Sequence, residues 1–129
     1  MSREHEIEFR VRYYETDAQG VVHHANYLKY FEMARVEQLL AAGHDYAELE
    51  ASGVVLVVAK ASCRYLRPSR FGDVLRLVIR TERARGARID HVYRVLRGDE
   101  VIAEGETTLA CVNRDGELQR LPDFLTIND

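Results

Sequence analysis

The chain has 129 residues, 47% apolar and 30% charged, with a formal net charge of −3 at pH 7. This length fits one domain, residues 1–129, with a core of its own, and the composition excludes a disordered or collagen-like chain. The slight acidic excess argues against a general nucleic-acid binder. The sequence offers no apolar run of about 18 residues for a transmembrane segment, and the polar start Met1-Ser2-Arg3-Glu4-His5-Glu6 lacks the apolar stretch of a signal peptide, so the expected compartment is the cytoplasm.

From Ile7 to Tyr13 apolar and polar residues alternate, which predicts a half-buried strand. A Gly-containing turn, Glu15 to Gly20, follows. Ala25 to Ala42 reads as one long helix, with Gly43 placed as its C-terminal cap. Tyr27, Tyr30, Phe31, Ala34 and Ala41 form a stripe, while Leu28, Met33, Val36, Leu39 and Leu40 spread over the remaining arc. A helix apolar on most sides is enclosed, here by a sheet or by a sheet plus a partner subunit. Asp45 to Ser52 forms a short second helix. Four strands follow: Val54 to Leu66, Val74 to Arg83, Ile89 to Arg97 and Val101 to Val112, with turn signals at Arg67-Pro68, Gly86, Gly98-Asp99 and Asn113 to Gly116. The short connections among these four predict antiparallel neighbours. The fold class is α+β, a five-stranded antiparallel sheet wrapped around one long helix. Cys63 and Cys111 read as buried free thiols, with no spacing of a zinc or redox pair.

The densest polar cluster is Glu15 to Tyr27, between the first strand and the long helix. Asp17 precedes a helix start, Gly20 permits a turn that other residues resist, and the backbone N–H groups near His23, His24 and Ala25 can stabilise negative charge. This combination fits acyl transfer. Taken alone, an Asp before a helix is more often a turn former or cap than a catalyst. Asp17, Glu15, His23 and His24 match no standard metal spacing, so no metal is expected. Six arginines flank turns (Arg64, Arg67, Arg70, Arg83, Arg85 and Arg88) and either hold phosphates or lie solvated at loop ends.

The run Arg10-Val11, then Thr16-Asp17-Ala18-Gln19-Gly20-Val21-Val22-His23-His24-Ala25-Asn26-Tyr27, resembles the signature of the 4-hydroxybenzoyl-CoA thioesterase family. Within it the chain is most similar to the acyl-CoA thioesterases associated with the Tol-Pal system. Tyr65 to Asp73 and Arg85 to Arg88 resemble family segments at matching positions, so the likeness runs from about Glu6 to Pro122. Gln19 departs from the pattern, where Gly or a small residue is common.

The resemblance implies the hotdog fold and hydrolysis of an acyl-CoA to free acid and coenzyme A. Asp17 takes the position of the catalytic aspartate, as nucleophile or general base, and the His24 N–H that of the group polarising the carbonyl. The His24 imidazole either acts chemically or bonds the turn. Gly20 and Tyr27 fall in the binding region, Arg85 and Arg88 are candidates for the coenzyme A phosphates, and the small Ala59 and Ala61 either leave room for the acyl tail or let the helix pack close. No retained cofactor is implied, since coenzyme A belongs to the substrate. Active sites at the boundary of a homodimer, or of a homotetramer made of dimers, are implied as well. The rival readings are a hotdog dehydratase and a non-catalytic acyl-CoA or acyl-carrier binding module.

Overall fold

Alternation along four strands buries one face of each against a single helix. In the third strand Leu75, Leu77, Ile79 and Thr81 turn inward, and in the fourth Ile89, His91, Tyr93 and Val95 do so. The computed structural model describes residues 3–127. Its elements are β1 (Glu4–Arg10), α1 (Ala25–Ala41), α2 (Tyr46–Ala51), β2 (Val55–Tyr65), β3 (Val74–Arg85), β4 (Arg88–Arg97) and β5 (Glu100–Val112), with 3-10 turns at Tyr13–Glu15 and Asp123–Leu125. The five strands form one antiparallel sheet in the order β1-β3-β4-β5-β2, wrapped on α1. This is the expected hotdog arrangement.

Three expectations are corrected. The first strand covers Glu4–Arg10 rather than running to Tyr13, because the buried Glu15 side chain accepts the Arg12 N–H at 2.7 Å and turns the chain. Its polar N-terminal half still forms a strand, since β1 is an edge whose outer face is wet. The second correction concerns β2 and β3, which are close in sequence but not neighbours. β2 pairs with β5, and the segment 66–73 passes across the sheet end, three strand spacings or roughly 14 Å. The third is Cys63, which is only half-buried, whereas Cys111 is buried.

The core bears out the helix stripe at Tyr27, Tyr30, Phe31 and Ala34 but not at Ala41, and it adds Leu39 and two polar residues. Tyr27, Tyr30, Phe31, Ala34 and Leu39 are buried, and so are Arg35 and Gln38, two polar residues on the same face. Gln38 Nε2 donates to Thr81 Oγ1 at 3.1 Å, and Arg35 donates to the Tyr93 hydroxyl at 3.0 Å. Ala41, Leu28 and Leu40 are exposed. Phe31 stacks on Tyr93 with ring centroids 4.2 Å apart, and Gly105 lies beneath it, where a Cβ would run into the Phe31 ring. A second cluster closes the far end of the helix, where Leu121 and Leu125 of the C-terminal segment pack on Leu39, Leu49 and Leu109. In the short helix α2, Asp45 caps the N-terminus by accepting the Ala47 N–H at 2.6 Å.

Candidate active site

After β1 the chain folds back on itself. Thr16 bridges to Val22, and the Asp17 N–H donates to the Val21 carbonyl at 2.9 Å, closing a tight loop. Asp17 Oδ1 accepts the Gln19 N–H at 2.9 Å and the Val21 N–H at 3.4 Å, while the Gly20 N–H donates to the Asp17 carbonyl at 2.9 Å. Gly20 has φ +79°, the left-handed region that glycine enters without strain. Asp17 is therefore the turn former that its position allows. That role uses one carboxylate oxygen; Oδ2 has no hydrogen-bond partner among the described residues.

The same loop delivers the chain into α1. The His23 N–H and the Asn26 side-chain amide both donate to the Glu15 carbonyl, at 2.9 and 2.8 Å. The Val22 N–H donates to the Ser69 carbonyl at 2.8 Å. His24 occupies the N-cap position, yet its side chain caps nothing, and the first helical turn carries no acidic residue. Of the three N–H groups expected to be open here, those of His23 and Ala25 are taken, Ala25 by His23 Nδ1 at 3.2 Å. The His24 N–H is left without a partner among the described residues. His23 thus acts by sealing its neighbour's N–H and by stacking on the His24 ring, centroids 4.3 Å apart. A helix start without a side-chain cap keeps its positive end available to a ligand anion.

The other residues expected at the site divide. Tyr27 is buried, and its hydroxyl is bonded to Ser69 Oγ. Burial raises its pKa, which keeps the phenol neutral. It therefore positions the helix start and the segment after β2. Tyr65, which the sequence reading had not assigned, stands at the surface of the site. Its hydroxyl donates to the His24 carbonyl at 3.1 Å and its ring meets those of His24 and Tyr27 edge-on. Its signal in the sequence was an aromatic residue at a strand end, just before the Arg67-Pro68 turn. Arg85 and Arg88 are not brought to Asp17 within one chain. They face each other across the β3–β4 turn, while the Asp17 loop lies by the opposite end of β3, roughly 35 Å along the strand. Arg88 is engaged there with Asp90 at 3.0 Å. The arginine beside the loop is Arg70, which bridges to Val21 and lies below Gly20.

Regular strand alternation would point Ala59 and Ala61 the same way. A bulge between Val58 and Lys60 breaks the alternation: Val58 pairs with Leu109 and Ala61 with Thr107, both on the helix face, and Ala59 is the extra residue. Ala61 and Val58 line a groove of about 290 Å³ between β2 and α1, together with Leu28 and Arg35. Among the described residues no three His, Cys, Asp or Glu side chains are grouped to hold a metal ion.

Comparison with known proteins agrees with this architecture. The thioesterase-like superfamily matches over residues 11–127. The acyl-CoA thioester hydrolase YbgC of Escherichia coli is 33% identical over 105 residues, 81% of this chain and 78% of its own. The crystal structure of an Aquifex aeolicus protein superposes with a TM-score of 0.90 at 32% identity, covering 95% of this chain and 99% of that one. A DHNA-CoA thioesterase from Staphylococcus aureus superposes with a TM-score of 0.87 at 28% identity, covering 92% and 80%. With a matched span running from the end of β1 through the last bridge at Ile127, the chain belongs to the thioesterase-like superfamily and is a thioester hydrolase.

Proposed function

We propose that the chain hydrolyses acyl-CoA thioesters, with the reacting carbonyl placed between the Asp17 carboxylate and the start of α1. The observation that carries this reading is the His24 N–H, unpartnered among the described residues at an uncapped helix start, on the same folded-back loop as a carboxylate that keeps one oxygen free. As the tetrahedral intermediate forms, its oxyanion takes the His24 N–H bond and the positive end of the helix. One such donor is worth about 10²–10³ in rate. Asp17 Oδ2 either attacks the carbonyl carbon, expelling the coenzyme A thiolate and leaving a mixed anhydride for water to open, or removes a proton from the attacking water. Coenzyme A leaves as product, and no retained cofactor enters this route. The His24 imidazole stacks on His23 and supports the loop. The site completes itself in a homodimer, or in a tetramer of such dimers, in the cytoplasm, and there Arg85 and Arg88 of a second copy are candidates for the coenzyme A phosphates.

Asp17→Asn tests the assignment. Asparagine keeps an oxygen for the Gln19 and Val21 N–H groups, so the loop is retained, and only the basic carboxylate is lost. The expected result is a fall in kcat of about 10²–10⁴-fold with an unchanged melting temperature. Activity within tenfold of wild type removes Asp17 from the chemistry. In single-turnover hydrolysis in ¹⁸O-water, label recovered in the Asp17 carboxylate identifies the anhydride route.

A further inference from the structure

Arg35 sits on the third turn of α1, 8% exposed, beside the groove between that helix and β2. Among the described residues no carboxylate lies within ion-pairing distance of it. Its hydrogen-bonding surroundings are neutral: it donates to the Tyr93 hydroxyl at 3.0 Å, that hydroxyl is bonded to Thr107 Oγ1, and the Tyr46 phenol lies close by, while Glu32 and Glu50 line the adjoining cavities without reaching ion-pairing distance. The uncompensated charge is felt by His91, whose pKa is held down to about 3 by burial first and by Arg35 second. Taking a cation out of water without an anion is expensive, and the Arg35 side chain nevertheless borders an open groove. The groove is lined by the apolar Leu28, Val58 and Ala61 and by the polar Lys29, Glu32, Arg35 and Thr107.

The groove also has a direction. Arg35 follows His24 by eleven positions, roughly 16 Å along the helix axis, and an arginine side chain on a helix leans back toward the N-terminus. A medium-length acyl chain whose carbonyl sits at the His24 N–H, and which runs along α1 into this groove, would pass Leu28, Val58 and Ala61 on its way to the guanidinium. We propose that Arg35 is a specificity-determining residue that receives a carboxylate at the distal end of the acyl group, so that the preferred substrates are ω-carboxyacyl-CoA thioesters. A neutral hydroxyl or keto oxygen leaves the guanidinium charge uncompensated; a carboxylate neutralises it and matches its planar fork. The inference rests on the thioesterase reading above and adds the class of acyl group.

The test compares suberoyl-CoA with octanoyl-CoA, which have the same number of carbons and differ by the terminal carboxylate. Wild-type enzyme is expected to prefer suberoyl-CoA in kcat/KM by about tenfold or more, with most of the difference in KM. Arg35→Gln is expected to abolish the preference, and Arg35→Lys to keep part of it. A wild-type ratio at or below one overturns the proposal without recourse to any variant, as does a preference that survives in folded Arg35→Gln. Butyryl- and benzoyl-CoA serve as the control for the activity itself. If neither these nor the eight-carbon thioesters are hydrolysed, the thioesterase reading fails, and calorimetric binding of suberoyl- against octanoyl-CoA still decides the role of Arg35: tighter suberoyl-CoA binding supports it and equal binding overturns it.

Discussion

His91 is buried on β4 with its Nδ1 unpartnered, and burial together with the Arg35 charge keeps its imidazole neutral down to about pH 3. The unfolded chain takes up that proton near pH 6.5. Between these values the unfolded state binds the extra proton, so this histidine leaves stability untouched above about pH 6.5 and erodes it as pH falls toward 3, by at most about 1.4 kcal/mol per pH unit. Urea unfolding at about pH 7.5 and about pH 5 is expected to show a loss in wild type that His91→Gln reduces; equal losses in the two proteins would exclude the effect. At this scale legibility varies. Asp17, Gly20 and His24 could be read from the sequence because a short loop with fixed spacing carries its own geometry. Arg35 and His91 could not, because a charged or titratable residue in a periodic segment reads as solvent-facing until the packing is known.

At the level of elements, the bulge in β2 decides which alanine matters to substrate. Ala61 shares the helix face with Val58, and Ala59 is the residue inserted between the paired positions. Ala61→Phe is expected to lower kcat/KM for octanoyl- and benzoyl-CoA about tenfold more than for acetyl-CoA, because the ring fills the groove beyond the carbonyl. Ala59→Phe is expected to show no such discrimination. A uniform loss across all three thioesters in Ala61→Phe, with a lowered melting temperature, would assign Ala61 to helix packing instead. The strands themselves were legible within a few residues, since alternation follows directly from the pleat. The bulge was not, because inserting one residue into a β-branched run leaves no mark in composition. The β2–β3 neighbour error has a similar cause: an eight-residue connection permits either a hairpin or a crossing over the sheet end, and only pairing with β5 selects between them.

For the whole molecule, the sheet order places β2 at an edge, with Val57 and Val58 exposed and with Leu28 and Leu40 of α1 also open to solvent. An eleven-residue apolar edge strand is one that natural proteins cover or pair. Pairing of two β2 edges would close both sheets and cover the exposed flank of each helix. Light scattering at micromolar concentration is expected to give a dimer or a tetramer. A charged substitution on this edge, Val57→Lys, is expected to shift the population toward monomer with a loss of activity. A fully active monomer in wild type would contradict assembly through β2. The same arrangement explains why the helix read as apolar on most sides: one stripe faces the sheet, and the remaining apolar residues lie on the flank left open in a single chain.

The sequence by itself determined the class of fold, the number of strands, the long helix and the loop that carries Asp17 and His24. All of these rest on local rules: side-chain alternation, helical period, glycine at a left-handed turn, and a motif whose spacing is confined to a dozen residues. Tertiary contacts were needed to show that β2 lies beside β5, that Tyr65 holds the His24 carbonyl, that of the three N–H groups at the helix start the one of His24 has no partner among the described residues, that Arg85 and Arg88 lie at the far end of the sheet from Asp17, and that Arg35 is buried with no described carboxylate within ion-pairing distance. Each of these joins residues from separate elements, and such contacts are set by how the sheet curves around the helix, which no single segment encodes.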